Sequence, residues 1–420
     1  MINTENKSVN ETLCTYTHSS GLRVRMVSKK GFCKSAAFFS THYGSIDNEF
    51  VPIGENDFIK VPDGIAHFLE HKVFEQPDNS NVFDMFSKYG ASANAYTSFD
   101  MTTYYFWCTE HFKENLKTLT GFVQSPYFTD ENVKKEQGII GQEIGMYDDS
   151  PGWRCYFNML GCLYKSFPVN RDIAGTVESI SKITKETLYT CYNTFYHPSN
   201  MTLCMVGDFD TEDMKEYLDG ILGSMESKPP VARKYPQEQA EIAKRETVQK
   251  MSVAMPMYMI GFKDMPQSNV EKRRAEVKIA LELLLGKSSK LYNELYSEGL
   301  ITPMFGMDYT AEKQYGFSEI SDQTGNADKV FEKIKSAAAS FKPSGEDIER
   351  IKRKTFGNGL GIFDDPEEYA GALARYETSG LNLYKMLEAY KNVTAEDVQK
   401  VFETHLTPDK AVLSKIEPLQ

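Results

Sequence analysis

Two histidines and a glutamate stand within the five-residue run His67-Phe68-Leu69-Glu70-His71. On a helix, residues four apart lie on one face, so His67 and His71 can both reach a single metal ion. Glu70 follows His67 by three residues, close enough to hold a water on that metal and take its proton. Two imidazoles with a nearby carboxylate base are the chemistry of zinc-assisted hydrolysis, so the run predicts a catalytic zinc site.

A third ligand is required, because catalytic zinc usually takes three protein ligands and leaves one position for water. Glu143 is the candidate: its counterpart later in the chain, Gly359, lacks the carboxylate, although the residues around both positions are alike. Glu136 lies two helical turns before Glu143 and on the same face. Glu136 could orient a ligand or be the ligand itself. We favour Glu143 as the ligand and Glu136 as the supporting carboxylate.

The counterpart of Glu143 comes from an internal repeat. Two pairs of segments carry the same residue types at the same offsets: residues 184–203 with 394–413, and residues 141–149 with 357–365. Two duplicated units of roughly 200 residues therefore fill the chain. When the repeats are aligned with the offset of the first pair of segments, the three residues of the histidine motif match Val277, Ala280 and Leu281, which lie in an apolar helix. One half thus carries the metal chemistry and the other an apolar counterpart.

The repeat predicts two domains. We expect an N-terminal zinc-binding catalytic domain over residues 1–226, an exposed linker rich in proline and charge over 227–245, and a homologous non-catalytic domain over 246–420. Strand-like and helical runs alternate in the first half. The predicted strands are 22–27, 36–43, 92–97 and 102–108, and the predicted helices are the histidine motif, 111–123, 130–146 and 184–196. The fold class is α+β, with a mainly antiparallel sheet and helices in each domain.

The composition argues against several other classes. The 420 residues carry a net charge of −12, which is unfavourable for a nucleic-acid-binding protein. No apolar run reaches 18 residues, and the first residues lack the basic and apolar pattern of a secretory signal. The seven cysteines are odd in number and include no Cys-x-x-Cys pair. Free thiols in a reducing cytoplasm are the simplest interpretation.

Together these residues resemble the insulinase and pitrilysin family of zinc metallopeptidases, which includes the mitochondrial processing peptidases. The resemblance rests on His67-x-x-Glu70-His71, the inverse of the commoner His-Glu-x-x-His order, and on Glu143 with its Ile-x-Met-Tyr-Asp-Asp-x-Pro continuation. The resemblance extends over essentially the whole chain. Within the family, the chain resembles above all the short one-lobe bacterial members. The resemblance implies that the two domains form one lobe of a clam-shell peptidase. It also implies ligand roles for His67, His71 and Glu143, the base role for Glu70, and a supporting catalytic role for Glu136.

The segment Asn94-Ala95-Tyr96-Thr97 resembles the family's strand beside the metal, along which substrate is laid as an added strand, and its first three residues are the ones predicted to bind substrate. Main-chain pairing at a sheet edge tolerates many sequences, so the resemblance implies substrate binding by these three residues. Asn94 could also hold the scissile carbonyl or the peptide backbone. Without the family, residues 92–97 are simply a polar-alternating strand.

One departure from the family concerns the partner. Active members usually supply an Arg and a Tyr from a second lobe to grip the substrate carbonyl, and Tyr296 and Thr302 stand at those positions here. A homodimer would lack these donors, and an oxyanion without donors forms orders of magnitude more slowly. We therefore expect a heterodimer with a related subunit that lacks the zinc motif, with a homodimer as the alternative.

The sequence thus predicts a cytoplasmic, zinc-dependent endopeptidase that hydrolyses peptides or unfolded precursor segments, with one Zn²⁺ per chain and Glu70 as the base. The competing interpretation is a non-catalytic subunit that binds peptides or supports assembly. Such relatives typically lose the ligand set, whereas this chain retains it. Neither nucleic acid nor a membrane span is expected.

Overall fold

Fourteen strands and fifteen α-helices are found in residues 1–6, 9–78, 80–222 and 227–419, which are the residues that the computed structural model describes. The strands are β1 (Ile2–Asn6), β2 (Glu11–Thr17), β3 (Arg23–Ser28), β4 (Ser35–Thr41), β5 (Glu49–Phe50), β6 (Ile59–Lys60), β7 (Ser92–Thr97), β8 (Thr102–Cys108), β9 (Met201–Gly207), β10 (Glu246–Met251), β11 (Met257–Asp264), β12 (Gly306–Ala311), β13 (Gly316–Gln323) and β14 (Ala411–Pro418). The helices are α1 (Ile65–Val73), α2 (Val82–Ser87), α3 (Phe112–Val123), α4 (Asp130–Asp148), α5 (Pro151–Leu163), α6 (Val177–Ile180), α7 (Lys185–Phe195), α8 (Thr211–Ile221), α9 (Val270–Leu285), α10 (Lys290–Ser297), α11 (Ala327–Ser340), α12 (Gly345–Leu360), α13 (Pro366–Thr378), α14 (Leu383–Asn392) and α15 (Ala395–Thr404).

The strands form two principal sheets of related topology. The first has the order β1-β2-β3-β9-β4-β8-β7, and the second has the order β10-β14-β11-β13-β12. The parallel pairs are β3 with β9 and β10 with β14, and the other neighbours are antiparallel. Five strands of the first sheet therefore repeat the strand order, pairing sense and chain order of the second sheet. This confirms the α+β fold with mainly antiparallel sheets and a duplicated architecture.

The elements predicted in the first half are confirmed. The predicted strands 92–97 and 102–108 are β7 and β8 to the residue, and the other predicted elements end within two residues of those observed. The helices of the repeated segment, α7 and α15, each begin with a capping box. Thr184 pairs with Thr187 in the first box, and Thr394 pairs with Asp397 in the second.

The chain divides into two compact units whose segments interleave. The first unit comprises residues 1–144, 172–235 and 360–383, and the second comprises residues 145–171, 236–359 and 384–420. In the first unit α13 packs on β4 and β9, and in the second α5 packs on β11 and β14. Each unit therefore contains a helix from the opposite half of the repeat. The contiguous domains drawn from the sequence stay a prediction, and their boundary at Glu226 lies outside the described residues.

The segment predicted as a linker, residues 227–245, is anchored rather than loose. In the first unit, the guanidinium of Arg233 lies 3.0 Å from the buried carboxylate of Asp47. In the second unit, the carboxylate of Glu238 accepts hydrogen bonds from three successive backbone N–H groups, residues 165 to 167, and pairs with Lys263 at 2.7 Å. Most of the segment is exposed, and two ion pairs with the buried residues Asp47 and Lys263 hold it in place.

Two further predictions concern the chain as a whole. Among the described helices, none combines the length and the apolar character that crossing a membrane requires. All seven cysteines lie in the described residues, and each is a free thiol; only Cys33 is exposed. Free thiols are what the cysteine pattern predicted.

Candidate metal centre

Helix α1 carries the histidine motif and is fixed at its first turn by a glycine. Gly64, the N-cap residue, has a φ of +89°, a left-handed conformation that favours glycine. A Cβ at this position would lie 2.4 Å from the carbonyl oxygen of Ala174. Phe68 and Leu69 in the middle of the helix are fully buried, and α1 contacts β7 and β8. The apolar side chains and the glycine together determine which side of α1 the two histidines occupy.

Three side chains converge between α1 and α4. His67 Nε2 lies 3.7 Å from Glu143 Oε1, and His71 Nε2 lies 3.5 Å from Glu143 Oε2. One potential ligand atom from each residue lies within 4.8 Å of the other two, and no other group of three or more His, Cys, Asp or Glu meets this criterion in the described part of the chain. Two ligand atoms about 2.1 Å from a tetrahedral zinc are roughly 3.4 Å apart. The spacing of these three residues therefore suits a single zinc ion.

Glu136 stands behind His71 rather than in the ligand group. Its Oε1 lies 3.1 Å from His71 Nδ1, so Nε2 is the nitrogen that faces Glu143. Burial disfavours a charged His71, but the hydrogen bond to Glu136 and the charges of Glu70 and Glu143 outweigh it and raise the pKa of His71. This geometry matches the assignment that we favoured from the sequence. The ligand role of Glu143 and the supporting role of Glu136 stay predictions.

His67 is almost entirely buried, with 7% of its surface exposed. Burial and the neighbouring His71 lower the pKa of His67 to about 4. Its Nδ1 is buried and has no hydrogen-bond partner among the described residues. A neutral imidazole is the form that binds a metal, and an unpartnered polar ring is costly in a protein interior. The lowered pKa suits metal binding through Nε2, whereas the unpartnered Nδ1 is the other ring nitrogen and gives no support to it.

Glu70 is buried beside the three-residue group without belonging to it. Its Oε2 accepts a hydrogen bond of 2.6 Å from the hydroxyl of Thr97, at the end of β7. Burial raises the pKa of Glu70 above its usual value, although the hydrogen bond from Thr97 opposes the shift. A carboxylate of increased basicity next to a candidate metal site is suited to accept a proton from water.

Strand β7 is the edge strand of the first sheet, and among the described strands its partner in that sheet is β8. Because side chains alternate along a strand, Thr97 faces α1 while Asn94 and Tyr96 lie on the opposite face. The Tyr96 ring packs edge-on against Tyr105 at 6.2 Å, and the Asn94 side chain accepts a hydrogen bond from the next backbone N–H. The structure thus brings the predicted strand to the centre, but it is Thr97 that contacts Glu70. Strand alternation was the signal that could have identified Thr97.

The comparisons with known proteins show the family to which the chain belongs. The sequence model of the insulinase family (peptidase family M16) matches residues 59–177, and that of the peptidase M16 inactive domain matches residues 182–355. A Bacillus subtilis protein named uncharacterized zinc protease YmfH is 44% identical over 99% of this chain and 98% of its own length. This chain belongs to the insulinase family. The resemblance stated from its motifs is thereby confirmed.

Other similar proteins differ in how much of this chain they match. A protein of Arabidopsis thaliana named probable mitochondrial-processing peptidase subunit beta is 26% identical over 40% of this chain and 32% of its own length. The crystal structure of an M16-like peptidase from Alicyclobacillus acidocaldarius has a TM-score of 0.94 at 34% identity, covering 99% of this chain and 100% of that one. A protease from Helicobacter pylori, at 18% identity and a TM-score of 0.80 over 97% of this chain and 99% of that one, shows the shared fold.

Proposed function

We propose that this chain is a zinc-dependent endopeptidase that hydrolyses peptides or unfolded polypeptide segments. The observation that carries the proposal is the convergence of His67, His71 and Glu143, with the buried carboxylate of Glu70 beside them and outside the group. The three-residue group would supply the metal site, and Glu70 would supply the base. The zinc-protease names of several relatives, including YmfH, support the same chemistry.

The residues of the chain divide the catalytic work among them. A bound Zn²⁺ would polarise the scissile carbonyl and acidify the attacking water. Glu70 accepts a proton from that water and later passes it to the leaving amine. Thr97 holds one oxygen of the Glu70 carboxylate, and Glu136 holds His71 through Nδ1. Both contacts reduce the reorganisation needed before proton transfer.

Substrate binding is proposed to use the edge of β7, the segment that contains Asn94, Ala95 and Tyr96. An extended peptide added to this edge would be held by main-chain hydrogen bonds, which depend little on side-chain sequence. Such binding would require a substrate segment that is extended and not paired with another strand, as found in peptides and unfolded chains. The cytoplasm is the compartment proposed for this activity, because the chain carries free thiols.

We also propose that full activity requires a second, related subunit. Tyr296 is half exposed and stacks on Tyr292 with ring centroids 6.1 Å apart. The hydroxyl and backbone N–H of Thr302 both donate to the carboxylate of Asp322. Tyr296 lacks the guanidinium and Thr302 lacks the phenol that active family members place at these positions. A heterodimer with a subunit that supplies these donors is the proposed assembly, and a homodimer is the alternative.

The test is cleavage of a quenched, unstructured peptide library by the purified chain, with zinc content measured in the same sample. We expect cleavage to require zinc and to fall about 10³-fold or more in Glu70→Gln, with zinc content unchanged. Equal cleavage by Glu70→Gln would contradict the base assignment. Full zinc occupancy without cleavage, even with a related subunit added, would favour the non-catalytic interpretation.

A further inference from the structure

Lys72, the residue after His71, has a side chain with no exposed surface. Its ammonium nitrogen lies 2.7 Å from Glu75 Oε1, 3.3 Å from the carbonyl oxygen of Asn132 and 4.0 Å from Glu136 Oε2. Lysine is almost never fully buried unless it is paired, because removing an ammonium ion from water costs several kcal/mol. A cation at this depth beside a metal site therefore requires a physical explanation.

The two oxygens of the Glu136 carboxylate serve two neighbours on α1. Oε1 lies 3.1 Å from His71 Nδ1, and Oε2 faces the ammonium of Lys72. Glu136 is itself buried, with 6% of its surface exposed, so its charge is stable only beside cations or donors. Lys72 is the cation that the structure places there. Without it, a buried carboxylate would depend on the His71 ring alone.

Lys72 also connects α1 to α4 at two points. Asn132 and Glu136 are one helical turn apart on α4, and the ammonium contacts the backbone of the first and faces the carboxylate of the second. Glu143 lies two turns further along the same face of α4. A contact that fixes this part of α4 against α1 therefore influences where the Glu143 carboxylate meets the two histidines.

We propose that Lys72 is a positioning residue of the metal centre. Its buried ammonium holds Glu136, and Glu136 in turn holds the His71 ring with Nε2 directed at Glu143. This inference rests on the proposed function, since it concerns the same zinc site. It assigns a role to a residue that the metal-binding motif does not include.

The simpler interpretation is that Lys72 only closes the end of α1 through Glu75, three residues later. The two interpretations predict different couplings between variants. If Lys72 acts through Glu136, then removing Lys72 should cost nothing further once Glu136 has been neutralised. If Lys72 acts only through Glu75, the effects of changing Lys72 and Glu136 should multiply.

The experiment measures the Zn²⁺ affinity of the full chain by competition with a chromogenic chelator, together with the visible spectrum of the Co²⁺-loaded protein. The variants are Lys72→Met, Glu136→Gln, the double variant, and Glu75→Gln as the control. We expect each of the first two to weaken Zn²⁺ binding about 10- to 100-fold and to alter the Co²⁺ spectrum. The double variant should bind within about twofold of Glu136→Gln, and Glu75→Gln should stay near the wild type.

The double variant also protects the test against misfolding. Lys72→Met alone leaves a buried carboxylate without its cation, whereas the double variant removes both charges together. If Lys72→Met does not fold, comparing the Zn²⁺ affinity of the double variant with that of Glu136→Gln still distinguishes the two interpretations of Lys72. A further tenfold loss in the double variant, or wild-type affinity and spectrum in Lys72→Met, would overturn the inference. A wild-type chain that binds no zinc would instead overturn the proposed function, and the inference with it.

Discussion

Single residues in this centre are distinguished by the partner that each side chain already has. His71 uses Nδ1 for Glu136 and turns Nε2 to Glu143, whereas Glu70 is held by Thr97. The proposed base can therefore be changed without altering the ligand group. The ligand and the supporting carboxylate on α4 should also be separable by experiment.

Glu143→Ala should lose zinc more completely than Glu136→Ala. The first change removes a proposed ligand, whereas the second removes only the partner of His71 Nδ1 and should weaken zinc binding about 10- to 100-fold. Zinc content after dialysis, measured by mass spectrometry on both proteins, checks this order. Retention of stoichiometric zinc by Glu143→Ala, with loss in Glu136→Ala, would exchange the two roles.

The residues that could be predicted from the sequence are those whose geometry is local. A helix converts the spacing of His67, Glu70 and His71 into one face, so three side chains could be assigned before any fold was known. Lys72 could not be assigned in this way, and strand alternation places Thr97 on a different face from Tyr96 without showing that it contacts Glu70. Their roles arise from contacts with α4 and with α1, which depend on how separate elements pack.

Individual elements hold the centre through backbone constraints as well as side chains. The first turn of α1 approaches the carbonyl of Ala174 so closely that only glycine fits at Gly64. Gly90, after α2, also has a positive φ of +65°, but a Cβ there would meet no atom within 4 Å. Comparing the two positions therefore distinguishes the cost of backbone strain, which both share, from the cost of a steric clash, which arises at Gly64.

Gly64→Ala should destabilise the chain by about 3 kcal/mol or more, because it combines a left-handed φ with a clash against backbone. Gly90→Ala should cost only about 1 kcal/mol, since strain in φ is its only penalty. Urea unfolding of both variants beside the wild type provides the comparison. Equal losses of stability would show that the approach of Ala174 does not constrain the helix start.

Strands β12 and β13 of the second unit contain a carboxylate with a shifted pKa. Burial, and then the charge of Asp308 directly opposite on β12, raise the pKa of Glu319 to about 7. A raised carboxyl pKa means that the folded state binds the proton more tightly than the unfolded chain. The stability contributed by this group is therefore present below about pH 4.5 and is lost as the pH rises to about 7.

The substitution Glu319→Gln should remove this loss of stability at higher pH, because glutamine has no proton to release. The variant should be more stable than the wild type by about 1 to 3 kcal/mol above pH 7 and close to it near pH 4.5. Denaturant unfolding at several pH values between 4.5 and 8 tests the prediction. A stability difference that does not change with pH would contradict it.

At the level of the whole chain, one topology was used twice, and within the described residues the candidate metal group lies in the first copy alone. The helix equivalent to α1 is α9, in which Val277, Ala280 and Leu281 are buried apolar residues, as the repeat predicted. The repeat also predicted that the sheets would correspond. It did not predict that α5 and α13 pack on the sheet of the opposite half, because that exchange depends on long-range packing rather than local pattern.

The missing donors at Tyr296 and Thr302 lead to a prediction about assembly. The isolated chain should cleave peptides about 10²- to 10³-fold more slowly than a complex in which a subunit supplies the donors. The double substitution Tyr296→Arg with Thr302→Tyr should raise the activity of the chain on its own if two copies can pair. Turnover and oligomeric state, measured on both proteins, test this. Full activity in the unmodified isolated chain would remove the reason for a partner.

The most direct measurement is an anomalous difference map, collected at the zinc absorption edge from crystals of the zinc-loaded chain. We expect one strong peak between α1 and α4, about 2.0 to 2.2 Å from His67 Nε2, His71 Nε2 and a carboxylate oxygen of Glu143. Glu70 and Glu136 should lie outside that distance. A peak at other residues, or no peak in zinc-loaded crystals, would contradict the proposed metal centre and the peptidase chemistry that depends on it.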